Sequence, residues 1–230
     1  MNINNVAQIK NINMQKIETL KNCLIGLSFI LAPLLLIAGF ASHPNLVSLE
    51  VMNTGEAFAA EFHNNTLWSV MHIVIMFSAL LFMGIMIGFN KLIGKQLPWI
   101  GLLVVFLGFF GSFMLGVDKG ALALVPSAFD TLPEAQFQQL MPGLEAMINY
   151  GGFLWLAWLY LFIPVAMFIA ALGLIKTKII PRWQGTSLLV GSAMFFNPDI
   201  DLISLAASVL IAFALIPIGF SFLRNTHSQS

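Results

Sequence analysis

The chain has 230 residues, of which 59% are hydrophobic and 9% charged, with ten basic and ten acidic side chains that cancel. A soluble domain carries about 25% charged residues, so twenty charges leave most of such a surface apolar. This composition excludes a disordered chain and a nucleic-acid binder, and the single cysteine, Cys23, excludes a disulfide scaffold or a cysteine metal cage.

Taken in order, the first 21 residues are polar, rich in Asn and Lys, and read as a cytoplasmic tail, mobile or lying at the membrane interface. A membrane helix needs about 20 mainly apolar residues, and residues 23–41 form the first such run. At about 19 residues it exceeds the 7–15 of a signal-peptide core, so it is expected to stay as an anchor. The second span is read at 67–89 and the third at 98–125. The fourth falls at 152–175. The apolar stretch from 183 to 223 is twice the needed length and is broken by Asn197-Pro198-Asp199-Ile200-Asp201, a turn that lipid could not solvate. It therefore gives a short fifth span at 183–196 and a sixth at 202–223, with a polar tail at 224–230.

The expected fold is all-α: one membrane domain, residues 22–223, with six transmembrane helices in a bundle. Nine of the ten basic residues fall in the tails and the 2–3 and 4–5 connections, whereas Glu50, Glu56, Glu61, Asp130, Glu134, Glu145, Asp199 and Asp201 fall opposite. The positive-inside rule then places both termini in the cytoplasm. The expected location is the bacterial inner (plasma) membrane.

Two loops on the acidic side run about 25 residues, long enough to carry structure of their own. Thr131-Leu132-Pro133-Glu134 fits a capping box, predicting a short helix over 132–141, and 52–62 is a weaker candidate. Both are expected to lie flat on the outer interface. In the third span Gly108, Ser112, Gly116 and Gly120 recur every four residues, a small-residue row that predicts close packing and a central place for this helix.

The polar residues near the acidic side define a vestibule. His72, Asp118, Lys119, Glu145, Tyr150, Asn197, Asp199 and Asp201 are the candidate ligand-binding residues. Ionisable groups at membrane depth are costly and are functional candidates for that reason. Adjacent helical residues diverge by about 100°, so Asp118 and Lys119 are not expected to face one another. Lys119 is expected to meet Asp199, Asp201 or Glu145, and Asp118 to meet His72. His43, His63 and His72 with Glu61 form a candidate divalent-metal set. No arginine lies on that side for haem propionates, so haem is not expected. No nucleotide loop, zincin motif or catalytic residue is identified.

The favoured function is binding or transport of a small cationic or polar ligand in an acidic vestibule. The alternatives are a metal- or haem-dependent membrane enzyme acting on a lipid-soluble substrate, and a structural subunit of a membrane complex. The expected partners are the bilayer, that ligand, and another helix or a second copy through the small-residue faces; nucleic acid is not among them.

Overall fold

The structure, a computed structural model, describes residues 3–197 and 200–227, with side chains over 14–197 and 200–224. Among the described residues every regular element is helical. In chain order these are α1 (Ile3–Ala41), α2 (Gly55–Phe62), α3 (Thr66–Ile93), α4 (Pro98–Lys119), α5 (Val125–Phe129), α6 (Glu134–Phe137), α7 (Met141–Ile148), α8 (Phe162–Thr177), α9 (Arg182–Met194) and α10 (Asp201–His227). A π-helical turn, Gly120–Leu124, joins α4 to α5, and a 3₁₀ segment, Gly152–Leu161, leads into α8.

Five helical runs are long and apolar enough to cross a membrane: Met14–Ala41, Thr66–Ile93, Pro98–Phe129, Gly152–Thr177 and Asp201–Arg224. Their unpartnered faces carry large apolar side chains, among them Phe77, Leu80, Phe106, Phe113 and Phe213. Exposure on that scale belongs to lipid, not water. α9 has 13 residues and spans only about 20 Å at 1.5 Å per residue. α1 starts at Ile3, well before the expected span, because no Gly or Pro interrupts the chain before Gly26.

The long helices and α9 close into a ring. α1 packs on α3, α3 on α4, α4 on α8, α8 on α9, α9 on α10, and α10 back on α1, while α3 also touches α8 across the interior. Phe29, Ile85, Phe89, Met167, Leu174 and Leu215 fill the middle. α4 is thus one stave among six, not the centre that its small-residue row predicted. Only half of that row is in close contact. A Cβ on Gly108 would meet Met86, but one on Gly116 would meet nothing within 4 Å, and one on Gly120 only the Met76 sulfur at 3.9 Å.

The short α9 is tied to α10 by polar side chains that reach its backbone. Gln184 Nε2 donates to the carbonyl of Ala214 at 2.6 Å, and Ser187 Oγ to that of Leu210 at 2.7 Å. Such bonds between apolar helices are each worth about 0.6 kcal/mol and at most about 1.7.

α2 and α7 cap one end of the ring. They pack together and bury Phe58, Phe62, Phe137 and Leu144 above Trp68, Leu122 and Ala123. α2 begins properly, the Thr54 hydroxyl accepting from the Ala57 amide at 3.2 Å. The capping box expected at Thr131 does not form: Pro133 is the N-cap residue, Thr131 Oγ1 donates to Ala128 O, and Glu134 accepts from Gln138. The expected single helix is split into α6, a 3₁₀ turn and α7, which extends to Ile148.

Tryptophan marks the two ends. Trp99 and Trp183 stand exposed at the starts of α4 and α9, and Trp155 and Trp158 at the other end of the bundle. This is the arrangement of aromatic belts at two interfaces. Trp68 alone is buried, at 2% exposure.

Candidate functional site

A cavity of about 110 Å³ lies inside the ring beneath the α2–α7 cap. A single water needs about 10–15 Å³ by the same measure, so a small molecule fits. All six ring helices reach it or end beside it. Its body is apolar, with Leu36, Ile75, Phe82, Leu115, Ile163 and Met167 in the wall. Its polar side comprises His43, His72, Lys119, Tyr150, Asn197 and Asp201.

The end of α1 and the start of α10 meet there. His43 Nδ1 lies 3.0 Å from Asp201 Oδ2 and 3.5 Å from Glu61 Oε2, with the side chains of His43 and Glu61 9% and 5% exposed. Neither approach has hydrogen-bond alignment, so His43 Nδ1 and Glu61 Oε2 are both left without a hydrogen-bond partner. The other oxygen, Glu61 Oε1, accepts from Asn45 Nδ2 at 2.8 Å. Burial works against charge on His43, but the carboxylates of Asp201 and then Glu61 outweigh it and raise its pKa to about 9. Asp201 sits in the first turn of α10, where the helix dipole favours a carboxylate.

His72 forms the adjoining wall. Its ring stacks on Trp68 with centroids 3.8 Å apart and lies 5.0 Å from the His43 ring. Its Nδ1–H donates to the Trp68 carbonyl at 2.9 Å, which leaves Nε2 as the accepting nitrogen of the neutral ring. Trp68 Nε1 is buried without a partner.

Asp118 is 1% exposed, and Lys119 Nζ lies 3.2 Å from its Oδ2. The two neighbours therefore do pair, contrary to the expectation from helical geometry. The four-carbon lysine stem folds back across the 100° that separates their Cβ atoms. Tyr150 Oη donates to Asp118 Oδ1 at 3.4 Å. The hydrogen bond of Asp118 thus goes to Tyr150, not to His72, and its ion pair is with Lys119.

Of the remaining candidates, Asn197 serves the chain itself. Its Oδ1 accepts from the Ile200 amide at 2.6 Å, and its Nδ2 donates to Ser204 Oγ at 3.0 Å, building the turn into α10. Glu145 is exposed on α7 and does not reach the cavity. Asp199 lies outside the described residues.

The expected metal set divides. His43 and Glu61 come together, but His63 turns to the far side of the cap, where Nδ1 lies 2.6 Å from Asp130 Oδ1 and the ring stacks on Phe137. Nε2 of His63 reaches Glu134 at 3.3 Å. The hydrogen bond from Gln138, then burial in the opposite sense and the bond with His63, leave the Glu134 pKa lowered. The reason for the division is the break between α2 and α3: His63 ends α2, and Asn64 takes a left-handed φ of 57°. His72 stands beside His43 without joining the carboxylates. The donor atoms that do converge are those of His43, Glu61 and Asp201, all within 4.8 Å of one another. Asn45 was missed as a neighbour of this site, and nothing short of the tertiary contact points to it.

Compared with known protein families, with curated proteins and with solved structures, the chain matches none.

Proposed function

We propose that the chain is a six-span membrane protein that binds a small cationic ligand in a cavity open toward the outer face. The observation that carries this reading is the cavity itself, apolar in body, with Asp201 in its wall and the carboxylates of Glu61 and Asp118 set behind it, against His43 and Lys119. Counted together, three carboxylates face two basic groups, which favours a cation, and the apolar wall favours one without a large hydration shell.

The topology in this proposal has α9 as the short fifth span. In its favour, α9 starts beside Ile175 at the end of α8, and Phe195, just after α9, packs on Phe40 at the opposite end of the ring. Both termini are then cytoplasmic, with Lys91, Lys95, Lys176, Lys178 and Arg182 inside. α2 and α7 lie at the outer interface, residues 1–21 and 224–230 lie outside the membrane, and the protein belongs to a plasma membrane.

The test is a thermal melt of the purified protein in detergent with tetramethylammonium as probe. Stabilisation that rises with probe concentration is expected, and Ile163→Phe, which fills the cavity, should abolish it. A shift that survives the filled cavity, or one that methylsulfate reproduces equally, would refute the reading.

A further inference from the structure

We propose that His43, Glu61 and Asp201 form a binding site for one divalent transition-metal ion, with an open coordination position facing the cavity. This rests on the reading above, that this end of the cavity attracts cations, and adds a metal ion at its polar edge, distinct from the ligand of the apolar body.

Three observations carry it. The donors come from three separate parts of the fold: the second residue after α1, the last turn of α2 and the first turn of α10. Their spacing fits a small ion. Donors at about 2.0–2.2 Å from a common centre, at angles of 90–110°, stand about 3.0–3.5 Å apart. His43 Nδ1 meets this, at 3.0 Å from one carboxylate oxygen and 3.5 Å from the other, and the two carboxylates offer oxygens within 4.8 Å of one another, a gap that a side-chain rotation can close around an ion.

The second observation is the orphaned pair of atoms. Glu61 is 3% exposed, yet its Oε2 has no hydrogen-bond partner, and neither has His43 Nδ1. A buried carboxylate oxygen left in that state has lost its water without gaining a partner. A proton on Nδ1 does not remedy it, since one N–H cannot point at both oxygens and is aligned with neither. An ion placed among the three donors satisfies all of them at once.

The third is the surroundings. Asn45 holds Glu61 Oε1 by a 2.8 Å hydrogen bond, the outer-shell support that orients a ligating carboxylate. The remaining side of the cluster faces the cavity wall formed by His72 and Trp68. One imidazole with two carboxylates suits zinc, manganese, iron(II) or cobalt(II). No thiolate or thioether is offered for copper(I), and calcium needs six to eight oxygens.

The experiment uses the full chain, purified in detergent, stripped with chelator and titrated with Co²⁺ while its visible absorption is followed. One Co²⁺ per chain is expected, displaced by Zn²⁺. Asp201→Asn and Glu61→Gln should weaken binding by more than about a hundredfold. Asn45→Ala keeps all three ligands and should weaken it by about ten- to a hundredfold. His63→Ala should leave it unchanged. Should the two ligand variants fail to fold, the wild-type stoichiometry and Asn45→Ala decide. Less than about 0.2 Co²⁺ per chain, or binding that Asn45→Ala and Asp201→Asn leave intact, overturns the site. If Co²⁺ fails while tetramethylammonium still stabilises the protein, the metal site falls and the cation cavity stands. If neither binds, both fall.

Discussion

Replacing Gly219 by alanine tests how the ring is closed. α1 and α10 run antiparallel and cross where Gly26 meets Gly219. A Cβ on Gly219 would sit 2.7 Å from the Gly26 carbonyl oxygen, 2.7 Å from Ile30 Cγ1 and 3.1 Å from Phe29 Cβ. Ordinary contacts lie at about 3.5–4.0 Å, so the helices must part by roughly 1 Å. The first obstacle is backbone and cannot rotate away. Overpacking of this kind costs about 1–3 kcal/mol, offset by up to about 1 kcal/mol of helix propensity that alanine gains over glycine. A net loss of about 1–2 kcal/mol is expected. Gly116→Ala is the matched control, because nothing lies within 4 Å of its Cβ. It should be neutral or stabilise by up to about 1 kcal/mol. Equilibrium unfolding in mixed micelles, followed by tryptophan fluorescence, measures both. If Gly219→Ala were neutral, or Gly116→Ala equally damaging, the close α1–α10 crossing would be refuted and the four-residue row in α4 would regain its structural role. The crossing also sets the site. Gly26 lies 17 residues before His43 and Gly219 lies 18 after Asp201, about 26 Å along each helix. Spreading the crossing should therefore weaken Co²⁺ binding as well as stability.

Phe62 is fully buried in the cap, so Phe62→Ala should cost about 3–5 kcal/mol and admit a polar quencher to Trp68; denaturant titration and fluorescence quenching check the two. In chelator-treated protein, folding raises the pKa of His43 from its ordinary 6.5 to about 9. The stabilisation is then complete below pH 6.5 and is lost as pH rises through 9. The groups that face this ring are Asp201, Glu61 and His72, with Trp68 and Phe40 as its aromatic neighbours. Thermal melts across that range should show the decline, and Asp201→Asn should flatten it; a melting temperature indifferent to pH in the wild type would contradict the assigned cause.

The apolar runs were legible because crossing a bilayer demands length and composition, both written locally. The run read at 67–89 appears as Thr66–Ile93, and that read at 152–175 as Gly152–Thr177. The gathering of His43, His72, Asp118, Lys119 and Asp201 near one end was legible for a similar reason: they sit at the ends of apolar runs. Which of them touch was not. The pairing of His43 with Asp201 depends on the register of two helices at opposite ends of the chain, set by glycines that resemble any others in the sequence. His63 looked equal to His43 as a ligand, yet one left-handed residue, Asn64, turns it toward Asp130. Thr131 and Glu134 had the spacing of a capping box, but the intervening Pro133 took the N-cap position and both side chains found other partners.

The weakest element in the proposed topology is α9, and its length makes it the place to test. Thirteen residues reach about 20 Å, whereas the hydrocarbon layer is about 30 Å thick. Two features reconcile the shortfall. The turn that follows, Phe195–Asn197, carries the chain further toward His43, and α9 is flanked by α8 and α10, so its polar Gln184, Ser187 and Ser192 bond to helix backbone away from lipid. Cysteines placed at either end distinguish a crossing from a return. In a Cys23→Ser background, Asn45→Cys is avoided because it would disturb Glu61, and Ser48→Cys marks the acidic end, with Lys95→Cys marking the basic one. Phe196→Cys and Lys178→Cys then bracket α9; Phe196 is exposed and Lys178 ends α8. A membrane-impermeant maleimide added to intact cells should label Ser48→Cys and Phe196→Cys but not Lys95→Cys or Lys178→Cys. Labelling of the opposite pair would turn the cavity toward the cytoplasm. If Phe196→Cys and Lys178→Cys behaved alike, α9 would enter and leave by one face, and the count would fall to five spans.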